Sequence, residues 1–485
     1  MRPTFMGLET AKRGIMVNQK AMDIVGNNIS NLKTKGYTRQ RLDTVTVQVH
    51  GRGRTLPLAG QGVEAIGVAQ VRNSYLDAKF RQEYGDVGYY DQKAAILQEL
   101  EAAISDPEVE NTGIGNALKV LSNALADFSN NADQETHANI VMNAMKGVTQ
   151  ILNEYSGKLN SLMDEQKNNL RLSVEEINTS LDQLTILNKT IADEVGSGTD
   201  YDGVNYLPND LIDKRNLILD DLARYGAVEV TPAGDGSVQV KFNGKVVVDN
   251  QGGRFSNDQM LLDRDGITLK WNSTNEMIGG DKGALRGFQE VLTGKNAVNR
   301  GIPYYQEKLD DLAVTLADVF NHIVHEDDPA NPGPFKQLLE GAADGSFTAG
   351  SISISDRWSS DSSYVIRKNN PAGSKDNTDI LAMKKALEND YGFGGEYQGS
   401  FGEFVSYITT SLGDDIKANQ ARLEAAVSVA ERVDTDRLAT SGVSLNEEGI
   451  NMMTYNKAYQ ALGRLMTVMD EQLDTIINKM GLVGR

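Results

Sequence analysis

The two ends of this chain carry matching heptads. Leu8, Ala11, Ile15, Asn18, Met22, Val25, Ile29 and Leu32 recur at alternating spacings of three and four. Near the other end Tyr455, Ala458, Leu462, Leu465, Met469, Leu473, Ile476 and Met480 do the same, with one extra step of four. That is the period of helices that bury a seam against other helices. Chain termini usually fray, so two termini patterned for burial need partners: each other, a second copy, or another protein. Isolated helices are marginal in water, which predicts ends that are disordered in the monomer and ordered in an assembly.

At 485 residues the chain is too long for one core and suits two to four domains. Its net charge of −19 argues against nucleic acid as a partner, because a duplex binder needs a basic face. The charge is uneven: residues 1–54 carry ten Lys/Arg against three Asp/Glu. This basic arm reads as solvated charge beside a buried seam, or as a site for an acidic partner. The absence of cysteine excludes thiolate catalysis, zinc–thiolate sites and disulfides. There is no run of 18 or more apolar residues to span a membrane. The N-terminal segment interrupts Leu8, Ile15 and Met22 with Lys12, Arg13, Asn18 and Lys20, unlike the continuous apolar core of a cleavable secretory signal.

Between the ends the periodicity changes twice. The N-terminal helix is predicted to reach about Leu32, with Gly36 as its stop. Val45, Val47 and Val49 alternate with polar residues as a strand, and Val63 to Val71 reads as a second. Residues 73–195 are helical in pattern, and no proline occurs from 108 to 207. Ile114 to Phe128 forms one amphipathic helix, and the seam from Val141 to Ile191 implies a helix over 140–195, about 80 Å long. Such a rod belongs in a bundle. From Val228 the period becomes two, with Asn243-Gly244 and Asp265-Gly266 as hairpin turns, giving a β region over 226–280. Helical pattern resumes from Leu285 to Ile323. Residues 327–375 are rich in Pro, Gly and Ser, with Ile352 and Ile354 alternating, and a last long helix covers 401–438 before the C-terminal heptads.

The fold class expected is mainly α with a β-rich insert, nested and elongated. Residues 1–60 with 441–485 would form a terminal coiled-coil domain. Residues 61–225 with 285–326 and 376–440 would form a helical bundle, and 226–284 with 327–375 a small outer β domain.

No constellation supports catalysis, a cofactor or a metal. His322 and His325 with Glu326 miss the i, i+4 spacing of a zinc helix and lack a further ligand. Asp263-Arg264-Asp265-Gly266 opens like a calcium loop but has no Glu at its twelfth position, so a turn is the simpler reading. Gly392, Gly394 and Gly395 lack the spacing of a nucleotide-binding loop. Asn28-Ile29-Ser30 and Asn272-Ser273-Thr274 match a glycosylation sequon by pattern alone. Asp210, Asp213, Asp220 and Asp221 read as the wet side of an amphipathic helix. Asn18, inside the N-terminal seam, either fixes register or faces solvent.

Two flanking motifs identify a relationship. Val25-Gly26-Asn27-Asn28-Ile29-Ser30-Asn31 followed by Gly36-Tyr37-Thr38-Arg39-Gln40 resembles the signature shared by bacterial flagellar rod, hook and hook-associated proteins. Ser441-Gly442-Val443-Ser444-Leu445-Asn446-Glu447-Glu448, with Tyr455 and Ala458-Tyr459-Gln460-Ala461 after it, resembles the other end of that family. The resemblance covers roughly the first and last 45 residues. The long helical middle, the segment Asn209-Asp210-Leu211-Ile212-Asp213-Lys214-Arg215, and Phe320-Asn321-His322 are similar to its hook-associated branch rather than to its mainly β hook and rod subunits.

The resemblance implies a structural, non-enzymatic part of an extracellular flagellum, forming the first junction layer between hook and filament. It implies export unfolded through the flagellar type III channel. It also implies a ring of eleven copies built through the terminal helices, with hook protein and a second junction protein as neighbours and an export chaperone of the FlgN type on the C-terminal helix. Its assembly residues would be Leu8, Ile15, Met22, Val25, Ile29, Asn27, Asn28, Asn31, Tyr37 and Arg39, with Tyr455, Ala458, Tyr459, Leu462, Leu465, Met469, Leu473, Ile476 and Met480. The basic residues Lys33, Lys35, Arg39 and Arg41 would lie between copies. The alternatives are a flagellar hook or rod subunit, and a secreted coiled-coil scaffold unrelated to flagella.

Overall fold

The structure is a computed structural model that describes residues 6–47, 62–104, 113–197, 200–201, 204–325, 335–366 and 377–479. In chain order the elements are α1 (Met6–Ser30), β1 (Gln40–Thr46), β2 (Val63–Gln70), α2 (Ser74–Ile104), α3 (Gly113–Asn130), α4 (Glu135–Ser197), β3 (Asp200–Tyr201), β4 (Val204–Tyr206) and α5 (Asn209–Ala223). Six strands follow: β5 (Val228–Pro232), β6 (Val238–Phe242), β7 (Lys245–Gln251), β8 (Arg254–Asn257), β9 (Met260–Leu262) and β10 (Leu269–Trp271). Then come α6 (Ala284–Thr293), β11 (Lys295–Asn296), β12 (Asn299–Arg300), α7 (Ile302–Phe320), β13 (Leu339–Glu340), β14 (Ser353–Ile354), α8 (Asp356–Ser360) and α9 (Thr378–Glu388). The chain ends with β15 (Tyr391–Phe393), β16 (Tyr397–Gly399), α10 (Phe401–Ser441) and α11 (Leu445–Asp474). The protein is mainly α with small sheets, as its periodicity predicts.

Two compact units divide the chain: Met1–Gly85 with Glu176–Gln259 and Ala426–Arg485, and Asp86–Glu175 with Met260–Ala425. Helices α2, α4 and α10 each supply residues to both. The proline-free stretch yields a single helix of 63 residues, longer at both ends than the seam alone indicates. The N-terminal helix stops at Ser30, two residues early, and turns occupy Asn31–Gly36 before Gly36 adopts φ +82 against the Leu217 side chain.

The first unit contains the two terminal helices, a four-stranded sheet of order β1-β2-β4-β3, helix α5, and the antiparallel meander β5-β6-β7-β8. The meander follows from alternation: Val238, Val240 and Phe242 point inward from β6 while Gln239 and Lys241 do not. Asn243 (φ +48) and Gly244 (φ +82) make the left-handed hairpin turn that Asn-Gly favours. Asn188 of α4 docks this sheet like a strand, donating to the Val238 carbonyl at 2.8 Å and accepting from its N–H at 3.2 Å. Strands β9 and β10 pair with each other in the second unit.

The second unit is a helical bundle. Its core contains Leu97 and Leu100 of α2, Leu121, Leu125 and Phe128 of α3, Val141, Met145, Val148 and Leu152 of α4, and Leu309, Leu312 and Leu316 of α7, all buried. Two clusters of polar groups inside it are paired. Lys308, 2 % exposed, reaches Asp311 at 3.0 Å and Glu396 at 3.2 Å. Glu290 accepts from the Tyr89 hydroxyl at 2.5 Å, Lys93 at 3.0 Å and Arg286 at 2.9 Å. Burial raises Glu290, but these donors prevail and hold its carboxyl below the ordinary glutamate range.

Candidate assembly interface

Helices α1 and α11 run antiparallel along each other, so the two ends of the chain pair. A Cβ on Gly14 would lie 2.7 Å from Leu462 Cδ1, one on Gly7 would collide with Met469 Cε, Ala21 and Tyr455 line one cavity, and the Asn28 amide meets Glu448. These rungs repeat every seven residues on both helices, in opposite directions. Three set a small residue against a large one, which brings the backbones close and lets Met469 and Leu462 lie over bare glycine.

The heptad reading of the sequence differs from this seam by one residue. Leu8, Ile15, Met22 and Ile29 are each half-buried, on the flank of the stripe formed by Gly7, Gly14, Ala21 and Asn28; Ala11 and Val25 are buried. A hydrophobicity pattern ranks Leu above Gly, whereas close helix approach selects for size. On α11, Tyr455, Ala458, Leu462, Met469 and Leu473 are half-buried, whereas Tyr459 and Leu465 are exposed, as is Ile476 just past the end of the helix. Met480 lies outside the described residues.

The fourth rung is polar and closed on all sides. Asn28 donates to the Gln40 carbonyl at 2.9 Å and accepts from the Gln40 N–H at 3.0 Å, so its amide continues the start of β1 as a strand would. The Tyr37 hydroxyl donates to Asn28 Oδ1 at 2.8 Å. Burial, with Asp213 nearby, pushes that phenol up to about 12. Glu448, 1 % exposed, accepts from Arg39 Nε at 2.7 Å, and Arg39 Nη1 reaches Glu447 at 2.8 Å. The Arg39 N–H donates to the Ser441 carbonyl at 2.9 Å, where α10 ends. Arg39 therefore serves a contact inside the chain, and Arg41 pairs with Asp43 at 2.9 Å. Asn27 donates to the Tyr37 hydroxyl at 3.3 Å, and Asn31 returns to the Asn27 carbonyl at 3.0 Å. Asn18 spends its amide on the Gly14 carbonyl of its own helix, at 2.6 Å.

A second polar layer binds α5 to the same loop. Asp213 accepts from the Thr38 N–H at 3.0 Å, the Thr38 hydroxyl at 2.6 Å and Gln70 at 2.9 Å. Burial pushes its carboxyl above the usual aspartate range despite those bonds. Asp220, on the same helix, accepts from Arg81 at 2.7 Å and Arg437 at 2.5 Å. Arg215 is buried without a carboxylate, donating to the Gly236 carbonyl at 2.8 Å. Burial and the nearby Arg72 and Arg81 lower it to about 10. Asp213 and Asp220 are thus joints between elements, whereas Asp210 and Asp221 are exposed on the wet side of the helix.

Sequence reasoning missed Gly7, Gly14 and Ala21, whose only trace is their strict seven-residue spacing, and did not single out Glu448 or Asp213 as buried acids. Among the described residues no three metal-ligating side chains converge, and no helix is long and apolar enough to cross a membrane.

Three family profiles match the chain in order. Residues 8–38 match the flagella basal body rod protein family, 97–329 the flagellar hook-associated protein FlgK helical domain, and 435–479 the flagellar basal body rod FlgEFG protein C-terminal family. Flagellar hook-associated protein 1 of Bacillus subtilis is 28% identical over 522 aligned positions that cover 100% of both chains. The chain belongs to the flagellar hook-associated protein 1 (FlgK) family. Members of this family are structural proteins of the flagellum and not enzymes, and the flagellum is extracellular. Flagellar hook-associated protein 1 of Salmonella typhimurium is 25% identical over 49% of this chain and 41% of its own length. The flagellar hook junction protein FlgK from Burkholderia pseudomallei superposes over 55% of this chain and 47% of its own, with a TM-score of 0.44 and 19% identity. The two rod-type profiles fall on α1 and α11, so the family signature at each end of the sequence is one paired element in space.

Proposed function

We propose that this FlgK-family protein forms the first junction layer between hook and filament, eleven copies closing a ring through their terminal helices. Hook protein lies on one side and the second junction protein on the other. A chaperone of the FlgN type holds α11 before export, and the chain leaves unfolded through the flagellar type III channel. Residues 1–60 with 441–485 are the axial core in this reading, and the helical bundle and β regions lie outside it.

The observation that carries the reading is apolar surface left open on the terminal pair. Ile450 is 59 % exposed, Leu465 44 % and Val468 48 %; Ile450 and Val468 lie well off the line of rungs that meets α1, and Leu465 lies on its flank. Glu448 is the one buried residue of α11 among those described. An exposed stripe continuous with a paired seam marks a protein contact. At about 25 cal/mol per Å² of apolar area, a neighbouring helix pair would gain several kcal/mol per copy by covering it.

Removal of residues 466–485 tests this. Secretion is expected to persist while filaments fail to attach and flagellin leaks into the medium; normal filaments on intact hooks would overturn the reading. The double substitution Ile450→Glu with Val468→Glu, at exposed positions well off the line of rungs that meets α1, should give the same phenotype.

A further inference from the structure

The apolar rungs of the terminal pair share a weakness: they repeat identically. Sliding α11 by one heptad, about 10 Å, sets Met469 against Gly14 and Leu462 against Ala21. Sliding it the other way sets Leu462 against Gly7 and Tyr455 against Gly14. In either direction every apolar rung still places large against small, so packing alone does not choose among three registers.

We propose that the Asn28–Glu448 rung, closed by Arg39, is the register key of the terminal helix pair. It is the one rung that does not survive a slip. One slide leaves Asn28 facing Tyr455 and takes Glu448 away from both its donors. The other puts the Glu448 carboxylate against the Ala21 methyl. A buried charge stripped of its partner is strongly disfavoured, and a single polar layer in a repeating seam is a recognised way to specify register. The Arg39 fork onto Glu447 and Glu448, at 2.8 and 2.7 Å, extends the key to the loop after α1. Asn18 plays no part, because its amide is spent within its own helix. The key matters for assembly because a correct register presents the outer apolar stripe of α11 at one fixed height. The proposal itself concerns the single chain and stands or falls independently of the junction role.

The rival explanation is the link of residues 442–444 between α10 and α11, which could hold register by connection alone. The chain has no cysteine, so Asp23→Cys with Gln472→Cys supplies one nitroxide pair on exposed positions offset along the helices by about 28 Å. In the full-length soluble chain, dipolar spectroscopy should give one narrow distance. Replacing the key by Asn28→Leu, Glu448→Leu and Arg39→Met should add a second population displaced by about 10 Å, while Asn18→Leu should leave the single distance intact. A single unchanged distance in the triple variant would assign register to the link and overturn the proposal. Loss of any defined distance in that variant would also overturn it, by making the rung a source of pairing strength rather than of register. So would a broad distribution in the starting chain.

Discussion

Glu448 is an acid held out of water and Glu290 a half-buried one, and donors surround each of them. For Glu290 the donors outweigh burial, so its folded carboxyl titrates below its unfolded value of about 4.3. A lowered acid contributes stability that is present above the unfolded value and lost as pH falls through the folded one. Glu290→Gln keeps the shape but removes the charge that binds Tyr89, Lys93 and Arg286. It should destabilise the helical bundle by about 2 kcal/mol at pH 7. That difference should shrink as the pH is lowered below about 4. Urea unfolding of both proteins at several pH values measures it; a difference that grows on acidification would contradict the assignment.

At the scale of elements, the terminal pair is built on size complementarity, and this makes a sharp prediction. Gly14→Leu places a large side chain where Leu462 already lies, and overpacking of this kind costs about 1–3 kcal/mol. It should weaken the pairing of α1 with α11, seen as faster amide exchange in both. Adding Leu462→Ala to Gly14→Leu exchanges the large and small partners and should restore most of the loss, a coupling that a double-mutant cycle reads directly. Purely additive effects would mean the two positions do not meet. The same logic explains why α1 carries Gly14 in mid-helix despite its poor propensity, about 1 kcal/mol below Ala: the space is already filled by Leu462 of the other helix.

For the whole molecule, the distribution of burial sets where the chain is stable and where it waits for a partner. Leu152, Leu159, Leu170 and Ile177 of α4 are fully buried, whereas α11 has a single buried residue, and that residue is an acid. Local stability follows buried apolar contact. In the soluble monomer, amides of 445–474 should therefore exchange far faster than those of 145–185, by about two orders of magnitude or more for a difference of about 3 kcal/mol in opening. They should gain protection on assembly. Equal protection in the monomer would show that the pair needs no further partner.

The sequence by itself determined the elements, because each follows from local physics. Seven-residue spacing makes α1 and α11 helical, the absence of proline from 108 to 207 permits a helix as long as α4, and Asn243-Gly244 turns a hairpin whatever surrounds it. Its two terminal motifs also named the family. The tertiary structure alone decided which residues of those motifs touch. A pattern of hydrophobicity shows that a helix has a buried side, but it places Leu8 and Ile15 at the centre of a seam where close approach selects Gly7 and Gly14. Nor does spacing along the chain reveal that Arg39 meets Glu448 or that Thr38 meets Asp213, residues separated by 409 and 175 positions. A buried charge is legible only with its partner, and the fold brings the two together.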